Sequence, residues 1–130
     1  VHFIAEDYGM IRFPVGRLAP IELFPAAPRA LGAATGTDML VGRNVVGILE
    51  HLVLTDDTVD YVVVDTLRTG RETFAAIWEA WRDAYVDPLA RHSSFSRDDA
   101  VAHIDEMISA TRDPRRYATW FVPVVAGRVA

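Results

Sequence analysis

Tyr61-Val62-Val63-Val64 is the most constraining run in the sequence. It sits in a stretch, Val59 to Leu67, that reads as a strand. Its residues are apolar at both parities, and a strand without a polar face is expected to be covered on both sides. What precedes and follows it is helical. From about Asp38 to Leu52, Val41, Val45, Ile48, Leu49 and Leu52 recur at the helical period, with Thr37 or Asp38 as N-cap. From about Arg71 to Tyr85, Phe74, Ile77, Trp78, Trp81 and Tyr85 form one broad aromatic face, and Pro88 is expected to close the segment. A strand held between helices suits a layered α/β fold.

The remaining segments complete that order. Val1-His2-Phe3-Ile4-Ala5 reads as a short buried strand running into Glu6-Asp7-Tyr8-Gly9. A strand that starts at residue 1 and ends in an acidic pair reads as the middle of a fold, so the function is expected to belong to a larger protein. Residues 6–36 carry Pro14, Pro20, Pro25 and Pro28 with Gly9, Gly16, Gly32 and Gly36, and are expected to be irregular. Thr55-Asp56-Asp57-Thr58 reads as a turn. Ser96, with Asp99 three residues on, caps a third helix whose apolar face is Val101, Ile104, Met107 and Ile108, and Asp113-Pro114 stops it. A last strand runs from about Tyr117 to Val129, broken or bulged at Pro123. About three strands make a thin sheet, which is expected to lean on a missing half or a second copy.

Composition narrows the function classes. With 51% apolar residues in 130, a single domain with its own core is expected. A net charge of −5 lacks the basic field that nucleic acid or an anionic membrane surface requires. No apolar run approaches the roughly 20 residues of a membrane span. The chain has no cysteine, hence no thiolate nucleophile and no cysteine zinc site, which fits a cytoplasmic location. All 13 basic residues are arginine, so Schiff-base chemistry is excluded within the chain. There is no nucleophile elbow, P-loop or zinc-finger spacing.

Val1 to Tyr8, Gly42-Arg43-Asn44 through Glu50-His51-Leu52, Val59 to Asp65, and Tyr117 to Arg128 together resemble the C-terminal half of a class I S-adenosylmethionine-dependent methyltransferase. The first would match that family's fifth strand, the second its last core helix and the third its sixth strand. The fourth is similar to its closing antiparallel strand, which the family inserts between two others. Residues 68–116 would be a helical insertion. The resemblance implies a partial Rossmann-like sheet and a portion of an enzyme that methylates a small molecule. S-adenosylmethionine is implied as cofactor, but the family's Gly-rich cofactor loop is absent. Gly32-Ala33-Ala34-Thr35-Gly36 is the nearest Gly-rich segment and does not follow a strand. The chain alone is therefore expected to be inactive. It would partner the missing N-terminal half or form a homodimer. The alternative is a non-enzymatic α+β ligand-binding or dimerisation domain.

Glu6, Asp7 and Tyr8 are the catalytic candidates. They follow the carboxyl end of a strand, where ligands of open α/β sheets collect, and the resemblance puts them at the substrate mouth. Five further residues are substrate-binding candidates. Asp65 ends its strand similarly, with Arg68 as an ion-pair partner. Arg43 stands early on a helix, where a cation opposes the dipole, and calls for a partner such as Asp38 or a ligand carboxylate. Trp78 and Trp81 either pack a core or dimer interface or wall a pocket. His103 shares a helical face with Asp99 and Glu106, which is expected to point to water. No metal is expected there, and His51 and His92 read as ordinary surface or half-buried histidines.

Overall fold

A computed structural model describes residues 1–14, 20–52 and 54–129, with the side chains of 20–25 and of Leu52 outside the description. Residues 15–19, part of the stretch expected to be irregular, also lie outside it. Among the described residues the fold is α/β, a small open sheet of four strands with four helices. In chain order these are β1 (His2–Ile4), β2 (Ile11–Arg12), α1 (Pro20–Thr35), α2 (Val45–Leu49), β3 (Leu54–Asp65), α3 (Arg71–His92), α4 (Arg97–Arg112) and β4 (Thr119–Val129). Short 3-10 helices at Tyr8–Met10, Val41–Arg43 and Glu50–Leu52 fill the connections.

Every strand pair is antiparallel and every pair includes β4. On one side of β4 lies β3, paired from Leu54 opposite Val129 to Asp65 opposite Thr119. On the other side β1 pairs with Val124–Ala126 and β2 with Thr119–Trp120, as one strand interrupted at residues 5–10. β1 and β3 therefore run parallel to one another, separated by β4. Pro123 falls opposite the interruption. A strand residue presents its N–H and C=O to the same neighbour. The Pro123 carbonyl faces Ala5, whose N–H it accepts at 3.2 Å, so its missing donor falls where the β1–β2 strand is already broken. The strand accordingly runs through Pro123, with Tyr61 opposite, rather than breaking there.

The two faces are covered unequally. Trp120 and Val122 point into the main core with Phe74, Trp78, Leu89, Ile104 and Met107, beneath α1, α3 and α4. Full burial of such side chains stabilises by about 1.5–3 kcal/mol each. Val125 faces the other way into a small cluster with Ala5, Val45 and Leu49 of α2. Both covers reach only the ends of β3, Val64 packing on the main core and Leu54 on the small cluster. Val59, Tyr61 and Val62 remain 44%, 52% and 49% exposed. Among the described residues the apolar centre of β3, expected to be covered on both faces, instead lies on an edge strand that pairs with β4 alone. The first strand is likewise an edge, with His2 and Ile4 exposed.

Several boundaries differ from the sequence reading. α1 runs through Pro25 and Pro28 where an irregular segment is expected. Pro20 costs nothing at the first position, where an N–H has no helical acceptor. The later prolines each remove one bond, while Ala27, Pro28 and Leu31 are buried. α3 continues past Pro88 to His92 because Val86 and Leu89 anchor the last turns in the core. The helix expected over 38–52 is split into α2 and its 3-10 flanks, for a reason visible at Gly42 below. Thr55–Thr58 is not a turn but a bulge within β3, with Asp56 at φ 54. The cap of α4 forms in full: Ser96 Oγ accepts from Asp99 N at 3.1 Å, Asp99 Oδ2 accepts from Ser96 N at 3.3 Å, and Asp113 closes the helix.

Candidate functional site

The interruption between β1 and β2 carries the candidate site. Asp7 is fully buried there and its carboxylate is saturated with donors. Gly9 N donates at 2.8 Å, Arg43 N at 3.0 Å, Arg43 Nε at 2.8 Å and Arg43 Nη2 at 2.8 Å. Its carbonyl accepts from Trp120 Nε1 at 3.1 Å. Arg43 reaches it because the 3-10 helix 41–43 lies against the β1 end. Gly42 N donates to Glu6 O at 3.2 Å, and a Cβ on Gly42 would stand 2.6 Å from the Ala5 carbonyl oxygen. That close approach sets the local backbone and interrupts the helix expected over 38–52.

Glu6 and Tyr8 flank this buried pair. Glu6 is exposed, and Tyr8 Oη donates to Glu6 Oε2 at 2.8 Å. The Tyr8 ring is buried against Trp81, with centroids 5.3 Å apart, and against Trp120 at 5.6 Å. Burial holds the phenol well above its ordinary value; a side-chain hydrogen bond with Trp81 opposes the rise and the Glu6 carboxylate adds to it. Tyr8 is thus a protonated donor, and Glu6 presents the accessible carboxylate. Tyr8 N donates to Met39 O at 3.2 Å, which ties the site to residues 36–40. There an open groove of about 340 Å³ lies between α1 and the loop, lined by Arg29, Gly32, Thr37, Asp38, Met39 and Leu40 among others.

Among the candidates, the structure brings together Glu6, Asp7, Tyr8, Arg43 and Trp81. The partner of Arg43 is Asp7, whereas Asp38 accepts from Leu40 N and from Asn44. Asp65 lies on the other side of β4 from that site, opposite Thr119 at the start of β4. It is buried and accepts from Leu67 N at 2.8 Å, Arg68 N at 2.7 Å, Tyr117 Oη at 3.1 Å and the Arg68 guanidinium. The Arg68 N–H is foremost in holding its carboxyl down to about 2.

Trp78 is fully buried at the centre of the main core, so core packing accounts for the aromatic stripe. His103, expected to face water, is buried instead. Its Nδ1 lies 2.8 Å from the Asp99 carbonyl oxygen, Phe95 packs edge-on to its ring, and among the described residues Nε2 has no hydrogen-bond partner. Asp99 is engaged in the α4 cap, and Glu106 pairs with Arg116 at 3.0 Å. His51 and His92 are exposed. Among the described residues no group of three metal-ligating side chains assembles, and no helix is long and apolar enough to cross a membrane.

Two contributors escape the sequence reading. Trp120 seals the site from β4, with an aromatic residue in an apolar strand as its only signal. Arg71 donates to the carbonyls of Thr111 at 2.9 Å, Arg116 at 3.0 Å and Pro114 at 3.3 Å, pinning α3 to the segment before β4. The dipole conflict that singles out Arg43 applies equally to an arginine at the first position of α3.

The Gly32–Gly36 segment does not fit a cofactor loop. It is the end of α1, where Gly36 at φ 74 reverses the chain and Thr37 N donates to Gly32 O at 3.0 Å. The sequence matches no protein-family model and none of the curated proteins.

Proposed function

We propose that the chain is the substrate-side portion of a small-molecule S-adenosylmethionine-dependent methyltransferase. The observation that carries this reading is the strand arrangement: β4 lies antiparallel between β1 and β3, which are parallel to each other. That is the insertion expected of the closing strand in the resemblance. Glu6 and Tyr8 then follow the carboxyl end of the strand that would border the cofactor half, where ligands of open sheets collect.

In that enzyme class S-adenosylmethionine supplies the electrophilic methyl group. Among the described residues no Gly-rich loop is offered to it, and in this reading its binding belongs to the missing half. This chain's part is orientation of the acceptor. Glu6 Oε2 takes a hydrogen bond from Tyr8 and keeps lone pairs free for an O–H or N–H of the substrate. Asp7 and Arg43 hold the two residues in place, as the carboxylate of Asp7 is fully engaged. The cysteine-free composition suits a cytoplasmic enzyme.

The test is transfer of a labelled methyl group by the protein that carries this chain. Glu6→Gln and Tyr8→Phe should each lower turnover, by about 10²-fold if Glu6 also accepts the proton. Unchanged turnover in both would remove the assignment. Calorimetry on the 130-residue chain should show no S-adenosylmethionine binding, and tight binding would overturn the division of labour.

A further inference from the structure

Glu6 and Tyr8 are tied to β4 through the residue between them. The Asp7 carbonyl accepts from Trp120 Nε1 at 3.1 Å and from Met10 N at 3.0 Å, so both of its lone pairs are engaged. The same indole stacks on the Tyr8 ring, with centroids 5.6 Å apart and planes 29° from parallel. Trp81 packs on that ring as well, at 5.3 Å. Taking Glu6 and Tyr8 as the pair that orients the methyl acceptor, we propose that Trp120 is a positioning residue for it, acting through the Asp7 carbonyl and the Tyr8 ring.

A buried indole needs an acceptor for its N–H. Trp120 directs that N–H at the backbone between the two site residues and lays its face on one of them. The division with Arg43 is clear: Arg43 and Gly9 secure the Asp7 carboxylate, while Trp120 and Met10 secure its carbonyl. Trp120 is itself rigidly placed. Its backbone lies opposite Ile11 of β2 on one side and Val64 of β3 on the other, and Trp78 packs on its ring at 5.9 Å. Functional groups are held most closely when they stand on such elements. Between Trp81 and Trp120 the Tyr8 ring delivers its Oη to Glu6 Oε2 at 2.8 Å. Without the indole N–H the Asp7 carbonyl keeps one donor, and residues 6–8 can shift together. A misplacement of about 1 Å at a reacting centre can cost on the order of 10²-fold in rate. The role is therefore read in turnover.

The test is labelled methyl transfer by the protein that carries this chain. Trp120→Phe keeps a ring and removes the donor, and should lower kcat about 10-fold with KM nearly unchanged. Benzothienylalanine incorporated at position 120 keeps the indole shape and lacks only the N–H. It should reproduce the loss in kcat with an unchanged circular dichroism spectrum, and it carries the test if Trp120→Phe does not fold. Leu89→Val, at a fully buried core residue near the end of α3, should leave kcat per folded molecule as it was. In a Glu6→Gln background Trp120→Phe should cost nothing further, because Trp120 acts through the pair it positions. Full kcat in both position-120 variants while Glu6→Gln is impaired would overturn the inference alone. So would an equal loss in Leu89→Val, or a loss that adds to that of Glu6→Gln. Unchanged turnover in both Glu6→Gln and Tyr8→Phe would instead remove the reading of that pair, and the role of Trp120 with it.

Discussion

Arg43 grips Asp7 at two points, Nε and Nη2 each 2.8 Å from a different carboxylate oxygen, across 36 residues of sequence. The carboxylate is fully buried while the arginine side chain is 39% exposed, so the pair is half in water. Removing one partner of a buried pair strands the other. Arg43→Ala should therefore cost about 3 kcal/mol, the lower end for buried pairs because Asp7 keeps its two backbone donors. Urea unfolding should show an earlier midpoint at unchanged slope. Arg43→Lys should recover only part, since an ammonium cannot make the two-point contact.

Glycine replacements should change sign within a few residues. At Gly42 an added Cβ meets the Ala5 carbonyl oxygen at 2.6 Å, and backbone cannot swing aside. Gly42→Ala should destabilise by about 1–3 kcal/mol through overpacking. At Gly47, in α2, nothing lies within 4 Å of the added atom. Gly47→Ala should stabilise by up to about 1 kcal/mol through helix propensity. Thermal midpoints of the two variants, moving in opposite directions, are the check.

Asp65 should make stability fall in acid. Its carboxyl titrates at about 2 when folded, below the usual 3.8, first because the Arg68 backbone N–H donates to it, with Leu67 N–H, the Arg68 guanidinium and Tyr117 adding to the effect against burial. A depressed value favours the folded state wherever the unfolded carboxylate is ionised. The contribution is complete above about pH 4 and drains away as pH falls through about 2. The unfolding midpoint of Asp65→Asn should lie well below that of the unaltered chain at neutral pH. The two should converge toward pH 2. Tyr117→Phe should narrow the same gap slightly.

Trp78 lies at the centre of the main core with no exposed surface. Its ring packs 5.5 Å from Phe74 and 5.9 Å from Trp120, centroid to centroid. Trp78→Ala should cost about 3–5 kcal/mol, a large share of the 5–15 kcal/mol typical of a domain. Near-ultraviolet dichroism and the thermal midpoint should both fall sharply.

β1, β3, α3, α4 and β4 are legible in the chain because each is a local pattern, whereas β2 and α1 fall in the stretch expected to be irregular. Helical spacing announced the aromatic face of α3, and Ser96 with Asp99 announced the α4 cap. The misjudged features depend on what lies across space. Pro25, Pro28 and Pro88 argue for breaks by local rules, yet core packing carries α1 and α3 through them. Tyr61–Val64 asks for cover on both faces, and only the pairing order reveals that β3 is an edge. Asp7 and Arg43 were both singled out, but no local spacing could say that they satisfy each other. His103 was assigned to water by its helical position, whereas Phe95 closes over it from the preceding loop.

The pairing order also sets a timetable. Among the described residues β1, β2 and β3 make no ladder with one another, and β4, which joins all three, follows them in the chain. As the protein emerges N-terminus first, α3 and α4 can dock on each other while β1 and β3 still wait for the strand between them. Until residues 119–129 leave the ribosome, Tyr61–Val64 is an apolar segment with both edges open, the state in which a nascent chain depends most on chaperone shelter.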